Sequence, residues 1–427
     1  MDKILTKAKH LRGELVVPGD KSISHRAVMI AALAEGTSEI TGFLAAADPL
    51  STIACFKALG VEYEISNDIV RVHGKGLLGL REPASMLNAG NSGTTIRLIS
   101  GILAGQKFPT RISGDEYLVK RPMKRIIEPL MKMGARISST EKFTAPLAIS
   151  PVAKLNAIRY ELPIASAQIK SAVLLAGLYA EGTTCVVETE QSRDHTERML
   201  GLQSKKIDGK NCITVEGGMK LRSTQFAVPG DPSSAAFFIV AGLIVPHSEI
   251  LIKNVGLNPT RIGFLSVLKK MGGQIEILDE KIVGGEPIGN ILVKSSSLTT
   301  DFVVEGEIIP NIIDEIPILA IAAVFAKGKI IFKNAADLRN KECDRIKAVC
   351  NNFSLMGIET EESPDGFAFE SKIDVHTSEF NSFGDHRIAM SFGIASLALD
   401  GESKILDAGC VDISFPTFWQ TLQILIQ

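Results

Sequence analysis

Gly19-Asp20-Lys21-Ser22-Ile23-Ser24-His25-Arg26, running into an apolar stretch that closes at Gly36, is the first of six similar openings in this 427-residue chain. The others start at Asn91-Ser92-Gly93-Thr94, Ser166-Ala167-Gln168-Ile169-Lys170, Asp231-Pro232-Ser233-Ser234, Asp314-Glu315 and Asp385-His386-Arg387. In each, a polar, often charged loop leads into an apolar, Ala-rich helix. A helix N-terminus exposes unpaired backbone N–H groups at the positive end of its dipole, so every opening is a potential anion site. Six such openings directed at one place would make a strong anion trap.

Each helix is followed by a small-residue stop and a strand-like run, as in Gly36-Thr37-Ser38-Glu39-Ile40, Gly182-Thr183-Thr184-Cys185-Val186-Val187 and Gly328-Lys329-Ile330-Ile331-Phe332. A second helix in each unit ends on a related signature, clearest in Ala58-Leu59-Gly60-Val61, Lys132-Met133-Gly134-Ala135, Lys270-Met271-Gly272-Gly273 and Leu355-Met356-Gly357-Ile358. Glycine just past a helix end stops it, and the following residues open a strand. The period of roughly 70 residues exceeds the ~20–50 of solenoid repeats, which points to small folding units of two helices and several strands.

Val17-Pro18-Gly19-Asp20 returns as Val228-Pro229-Gly230-Asp231, about half the chain later. The length exceeds what one hydrophobic core usually serves. Two three-unit domains are therefore expected, one of residues 21–228 and one of residues 229–427 joined by residues 1–20.

A net charge of -2 gives no general attraction to nucleic acid or membrane, so strong positive potential must be local. The apolar helices are broken before the ~20 residues of a membrane span, and the N-terminus lacks a signal-peptide pattern, which points to a cytoplasmic protein. The six cysteines, at 55, 185, 212, 343, 350 and 410, form no CxxC pair and are expected as buried, reduced thiols. The seven histidines show no HxxxH or HExxH spacing, which argues against a catalytic metal.

Charge instead comes from side chains at the loop-to-helix junctions: Lys21, Arg26, Arg97, Lys120, Arg121, Lys124, Arg125, Lys170, Arg193, Arg261, Lys341, Arg345 and Arg387. Singly, each is an ordinary surface cation. Their recurrence at one address in successive units is what a solvated face does not predict. Arginine suits carboxylates and phosphates because its planar fork bonds two oxygens. Asp344 and Asp385 read as ion-pair partners that hold arginines. Asp314 and Glu342 read as acid–base candidates, since carboxylates in a cationic site can move protons.

Lys21-Ser22-Ile23-Ser24-His25-Arg26, Gly90-Asn91-Ser92-Gly93-Thr94-Thr95-Ile96-Arg97, Lys120-Arg121-Pro122-Met123, Asn340-Lys341-Glu342-Cys343-Asp344-Arg345 and Gly384-Asp385-His386-Arg387-Ile388-Ala389-Met390 together resemble the 5-enolpyruvylshikimate-3-phosphate synthase family, in order and over nearly the whole chain. The resemblance implies an α/β fold, a two-domain inside-out α/β barrel of six βαβαββ repeats, three per domain, with the active site in the cleft between domains that close on substrate. It also implies an enzyme, usually monomeric, that moves the enolpyruvyl group of phosphoenolpyruvate to the 5-hydroxyl of shikimate 3-phosphate, through a tetrahedral intermediate and without metal or redox cofactor. Glyphosate is the family's inhibitor.

Carried over by motif, Lys21, Arg121, Arg345 and Arg387 would hold phosphoenolpyruvate, with Asn91, Gly93, Gln168, Glu342 and His386 beside it. Lys21, Ser22, Arg26, Ser166, Ala167, Gln168, Ser192, Arg193, Asp314 and Lys341 would line the shikimate 3-phosphate pocket. Asp314 would be the base at the attacking hydroxyl, Glu342 would transfer a proton at C3, and Lys21 would share either task. Gly93 is either a cleared space beside phosphoenolpyruvate or a plain turn glycine.

Gly19-Asp20-Lys21-Ser22, Ser166-Ala167-Gln168-Ile169-Lys170, Arg193-Asp194-His195-Thr196-Glu197 and Asn258-Pro259-Thr260-Arg261 look like signatures of class II, the less glyphosate-sensitive members. One feature departs from many class I members, which carry a lysine before the last helix; here the loop reads Val411-Asp412-Ile413-Ser414-Phe415-Pro416. Either Lys404 or Lys170 substitutes, or the ligand binds with fewer charges. The related UDP-N-acetylglucosamine enolpyruvyl transferases have Lys-Asn in place of Lys21-Ser22 and a reactive cysteine in the loop where this chain has Ser113-Gly114-Asp115-Glu116-Tyr117. A nucleic-acid-binding repeat protein would explain the basic loops but not Asp314 and Glu342, and with one Trp and four Tyr it would lack stacking platforms.

Overall fold

The structure, a computed structural model, describes residues 1–372 and 374–426. The six openings begin six helices: Lys21–Leu33, Gly93–Ala104, Ala167–Gly177, Pro232–Ile244, Ile316–Val324 and His386–Ser396. Five are capped by the residue just before them. Asp20 accepts from the Ile23 amide at 2.9 Å, Ser92 from Thr95 at 3.1 Å, Ser166 from Ile169 at 3.5 Å, Asp231 from Ser233 at 2.8 Å and Asp385 from Arg387 at 2.8 Å. Such a side-chain oxygen satisfies one of the amides a helix start leaves over.

These helices are buried on nearly every side. In Lys21–Leu33 only the first two residues are not buried, and in Ile316–Val324 every residue is. A helix apolar all round belongs inside a core rather than on its surface. Helix Gly93–Ala104 packs against Lys21–Leu33 and Ala167–Gly177. Gly101 permits that approach, because a Cβ there would stand 2.2 Å from the Ala172 carbonyl oxygen.

Around the helices the strands repeat one plan. In the second repeat, Leu87–Asn88 pairs in parallel with Thr110–Ser113, which pairs antiparallel with Leu147–Ser150, itself antiparallel to Arg136–Ser138. With helices Gly93–Ala104 and Lys124–Lys132 between them, the order is βαβαββ. The third repeat copies it with Arg159–Glu161, Thr183–Glu188, Lys210–Glu216 and Gln203–Ile207, and the fifth with Phe302–Val304, Lys329–Phe332, Gly366–Glu370 and Thr360–Ser363.

The remaining repeats are completed by strands distant in sequence. Gln225–Ala227 supplies the first strand of the repeat that contains Glu35–Thr41. Arg12–Val16 does so for Glu249–Gly256, and Lys3–Thr6 lies antiparallel to Glu402–Leu406 in the sixth repeat, whose sheet among the described residues holds only these two strands and Glu379–Asn381. The chain thus divides into two compact units, Met1–Pro18 with Pro229–Gln427, and Gly19–Val228. Each has its own hydrophobic core. Among the described residues no helix is long and apolar enough to cross a membrane.

Candidate active site

Within the unit Gly19–Val228, the helix openings carry cations held by short, mostly neutral contacts. Lys21 donates through Nζ to Asp48 at 3.1 Å. Arg26 is 4% exposed and donates to the Thr196 hydroxyl at 2.7 Å, the Ser171 hydroxyl at 2.8 Å and the Ser22 carbonyl at 3.0 Å. These three neutral partners orient the guanidinium. Arg97 donates to Gln168 Oε1 at 2.7 Å, and Gln168 Nε2 donates to the Thr94 hydroxyl at 3.2 Å, which links the second and third openings.

Arg121 is aimed by a relay. Asp115 accepts the amides of Tyr117 and Leu118 and receives Asn91 Nδ2 at 2.8 Å; the Asn91 carbonyl oxygen then accepts Arg121 Nη2 at 2.7 Å. Gly93 lies against both guanidinium groups, since a Cβ there would meet Arg97 Nη1 at 2.9 Å and Arg121 Nη1 at 3.3 Å. The third opening rests on a buried charge cluster. Lys170 Nζ reaches Glu188 at 3.0 Å, Glu197 at 2.6 Å and the Ser192 carbonyl at 3.2 Å. Burial raises the Glu197 pKa, against the pull of Lys170.

In the other unit the centre is Arg345, 1% exposed, with three carboxylates around it. Asp385 lies at 2.7 Å, Glu342 at 2.7 Å and Asp314 at 3.1 Å. Burial opposes the Arg345 charge, but Asp385, Glu342 and Asp314 more than offset that and raise its pKa. Asp314 Oδ1 also lies 3.4 Å from Lys341 Nζ, and its Oδ2 lies 3.9 Å from Arg387. Asp314 and Glu342 keep 15% and 17% of their side-chain surface, so both are anchored from behind yet accessible. That combination suits groups that must exchange protons with a ligand.

The sequence candidates are unevenly presented. Ser22, Asn91, Arg121, Ser166, Ala167, Gln168, Arg193, Asp314, Lys341 and Glu342 are part-exposed, while Ser192, Arg345, His386 and Arg387 are buried. The Ser192 hydroxyl donates to Glu188 at 2.8 Å and is committed there. Asp344 pairs with Arg339 at 2.7 Å, an arginine outside the junction set. Of the two cations considered for the missing lysine contact, Lys170 is fully buried between its glutamates and Lys404 pairs with Asp2 at 3.1 Å. Lys170 is therefore closed to a ligand in this arrangement, while the Lys404 side chain is 35% exposed. Sequence reading missed Asp48, Ser171, Thr196, Glu188 and Glu197, whose contacts to Lys21, Arg26 and Lys170 span 18 to 170 residues and leave no local pattern. All six cysteines are unpaired, and burial pushes Cys55 and Cys410 up to about 12, which makes them poor nucleophiles.

The model of the family EPSP synthase (3-phosphoshikimate 1-carboxyvinyltransferase) matches residues 5–422. A 3-phosphoshikimate 1-carboxyvinyltransferase of Thermodesulfovibrio yellowstonii is 50% identical over the whole of both chains. That of Bacillus subtilis is 49% identical over 98% of each. The solved EPSP synthase of Acinetobacter baumannii superposes with a TM-score of 0.87 at 45% identity, covering 99% of this chain and 98% of that one. With a family match over nearly its full length and half its residues shared with such relatives, the chain belongs to the EPSP synthase family.

Proposed function

We propose that the protein transfers the enolpyruvyl group of phosphoenolpyruvate to the 5-hydroxyl of shikimate 3-phosphate and releases phosphate. Beyond family membership, the observation that carries this is the pair Asp314 and Glu342, both anchored on Arg345 with Lys341 and Arg387 alongside. Two accessible carboxylates amid cations can remove a proton from a hydroxyl, supply one to a carbon and tolerate anionic substrates.

In this reading Asp314 takes the hydroxyl proton as oxygen bonds to C2 of phosphoenolpyruvate, and C3 gains a proton by way of Glu342. The tetrahedral intermediate then loses a proton from C3 as the C2–O bond to phosphate breaks, which restores the double bond. Lys21, Arg121, Arg345 and Arg387 hold the phosphoenolpyruvate anion; Asn91, Gly93, Gln168 and His386 border it. Arg345 must exchange one carboxylate contact for the ligand to do so. Ser22, Arg26, Ser166, Ala167, Gln168, Arg193 and Lys341 receive shikimate 3-phosphate, and Ser192 joins them if its hydroxyl turns from Glu188.

Residues 21–228 would bind the shikimate substrate, and the other domain would supply acid–base groups across a cleft that closes on ligand. The enzyme is read as a cytoplasmic monomer in aromatic amino-acid biosynthesis, inhibited by glyphosate less strongly than class I relatives. The test is phosphate release from phosphoenolpyruvate with either shikimate 3-phosphate or UDP-N-acetylglucosamine, alongside a glyphosate titration. Release only with shikimate 3-phosphate is expected; release only with the nucleotide sugar would overturn the acceptor.

A further inference from the structure

Glu315 departs from the rule followed at the other five openings. It occupies the capping position of helix Ile316–Val324 but makes no side-chain bond to that helix. Being one methylene longer than aspartate, it reaches outward instead. Its side chain is 1% exposed, its Oε1 accepts the Ser233 hydroxyl in a short contact, and the same oxygen lies 3.5 Å from Arg387 Nη1. Ser233 is the second residue of helix Pro232–Ile244 and Arg387 the second of helix His386–Ser396. One carboxylate therefore joins three helix openings.

Ser233 is itself held. Its oxygen accepts Arg261 Nη2 at 2.9 Å, and that nitrogen also donates to Asp231 at 2.9 Å. Arg261 is fixed in turn by Asn258-Pro259-Thr260-Arg261: the Asn258 side chain accepts the Thr260 amide and hydroxyl at 2.9 and 2.8 Å, and its Nδ2 donates to Glu286 at 2.9 Å. The mechanism assigns this motif no part. Here it braces the serine that braces Glu315.

The contacts at Arg387 differ in kind from those at Arg345. Arg387 donates to the Asp314 carbonyl at 3.3 Å and to Glu315 at 3.5 Å, and lies 3.9 Å from Asp314 Oδ2. Arg345 is locked by two contacts of 2.7 Å. Long contacts orient a guanidinium while leaving short bonds for an incoming anion. Glu315 Oε2 is buried with no hydrogen-bond partner among the described residues. A buried carboxylate so placed is costly unless a cation stands close, and Arg387 is one that does.

We propose that Glu315, braced by Ser233 and Arg261, is a positioning residue that aims Arg387 at the anionic donor substrate. This deepens the functional reading above and rests on it. Steady-state kinetics of Glu315→Gln and Ser233→Ala, varying each substrate separately, tests it. For Glu315→Gln, the KM for phosphoenolpyruvate should rise about tenfold or more, while the KM for shikimate 3-phosphate stays within about twofold and kcat falls less than the donor KM rises. Ser233→Ala should move the same parameter by less, and carries the test if the first variant does not fold. An active wild type whose variants keep the donor KM, or raise both KM values equally, overturns the positioning role. A wild type without release dependent on shikimate 3-phosphate overturns the reading beneath it.

Discussion

At Gly93 one methyl group separates two roles. A Cβ there would press on the ends of Arg97 and Arg121 rather than on backbone, so both side chains can shift and the fold should survive. The shift would disturb the 2.7 Å bonds that aim them at Gln168 and Asn91. Gly93→Ala should raise the KM for phosphoenolpyruvate about tenfold and raise the glyphosate concentration needed for half-inhibition, since displacements near 1 Å can cost up to ~10²-fold. An unchanged donor KM would mark Gly93 as a turn glycine. Asp314→Ala should lower turnover by about 10²- to 10⁴-fold with circular dichroism unchanged. Near-normal turnover would remove Asp314 from the mechanism.

Helix Lys21–Leu33 carries a pH sensitivity of its own. His25 is fully buried; its Nδ1 meets the Thr52 hydroxyl at 2.7 Å, which continues to Thr95 at 2.7 Å and to the capping Ser92 at 2.8 Å. Burial first, then the nearby charges of Lys21 and Arg26, hold its pKa well below the ordinary 6.5. Because the unfolded chain takes up that proton while the folded one does not, the contribution is intact above pH 6.5 and is lost as pH falls toward the folded pKa. Urea unfolding between pH 7.5 and 5 should show stability falling by up to ~1.4 kcal/mol per pH unit from this group. His25→Asn should flatten the slope, and an identical slope in the variant would assign it elsewhere.

For the whole molecule, the first residues matter out of proportion to their number. Strands Lys3–Thr6 and Arg12–Val16 complete two sheets of the unit that resumes at Pro229, and Leu5, Leu11 and Leu15 lie in its core. Deleting residues 1–18 should leave Gly19–Val228 protected in hydrogen exchange while the other unit loses protection. Equal protection of both would show the segment dispensable. Closure on ligand is tested by small-angle scattering with shikimate 3-phosphate and glyphosate. A smaller radius of gyration is expected, and an unchanged one counts against closure.

The sequence alone determined where five of the six buried helices begin, because capping works over three residues: Asp20, Ser92, Ser166, Asp231 and Asp385 each meet an amide two or three positions on. Repetition gave units of two helices and several strands, and the ordered motifs gave the resemblance to the family, which implied the βαβαββ plan and the candidate residues. What only the tertiary structure decided is which charges meet. Arg345 gathers carboxylates from positions 314, 342 and 385, Asp344 turns to Arg339 instead, Lys170 disappears between Glu188 and Glu197, and Glu315 crosses 82 residues to Ser233. A buried charge must find its partner wherever packing brings one within reach, and packing of distant segments leaves no periodic trace along the chain.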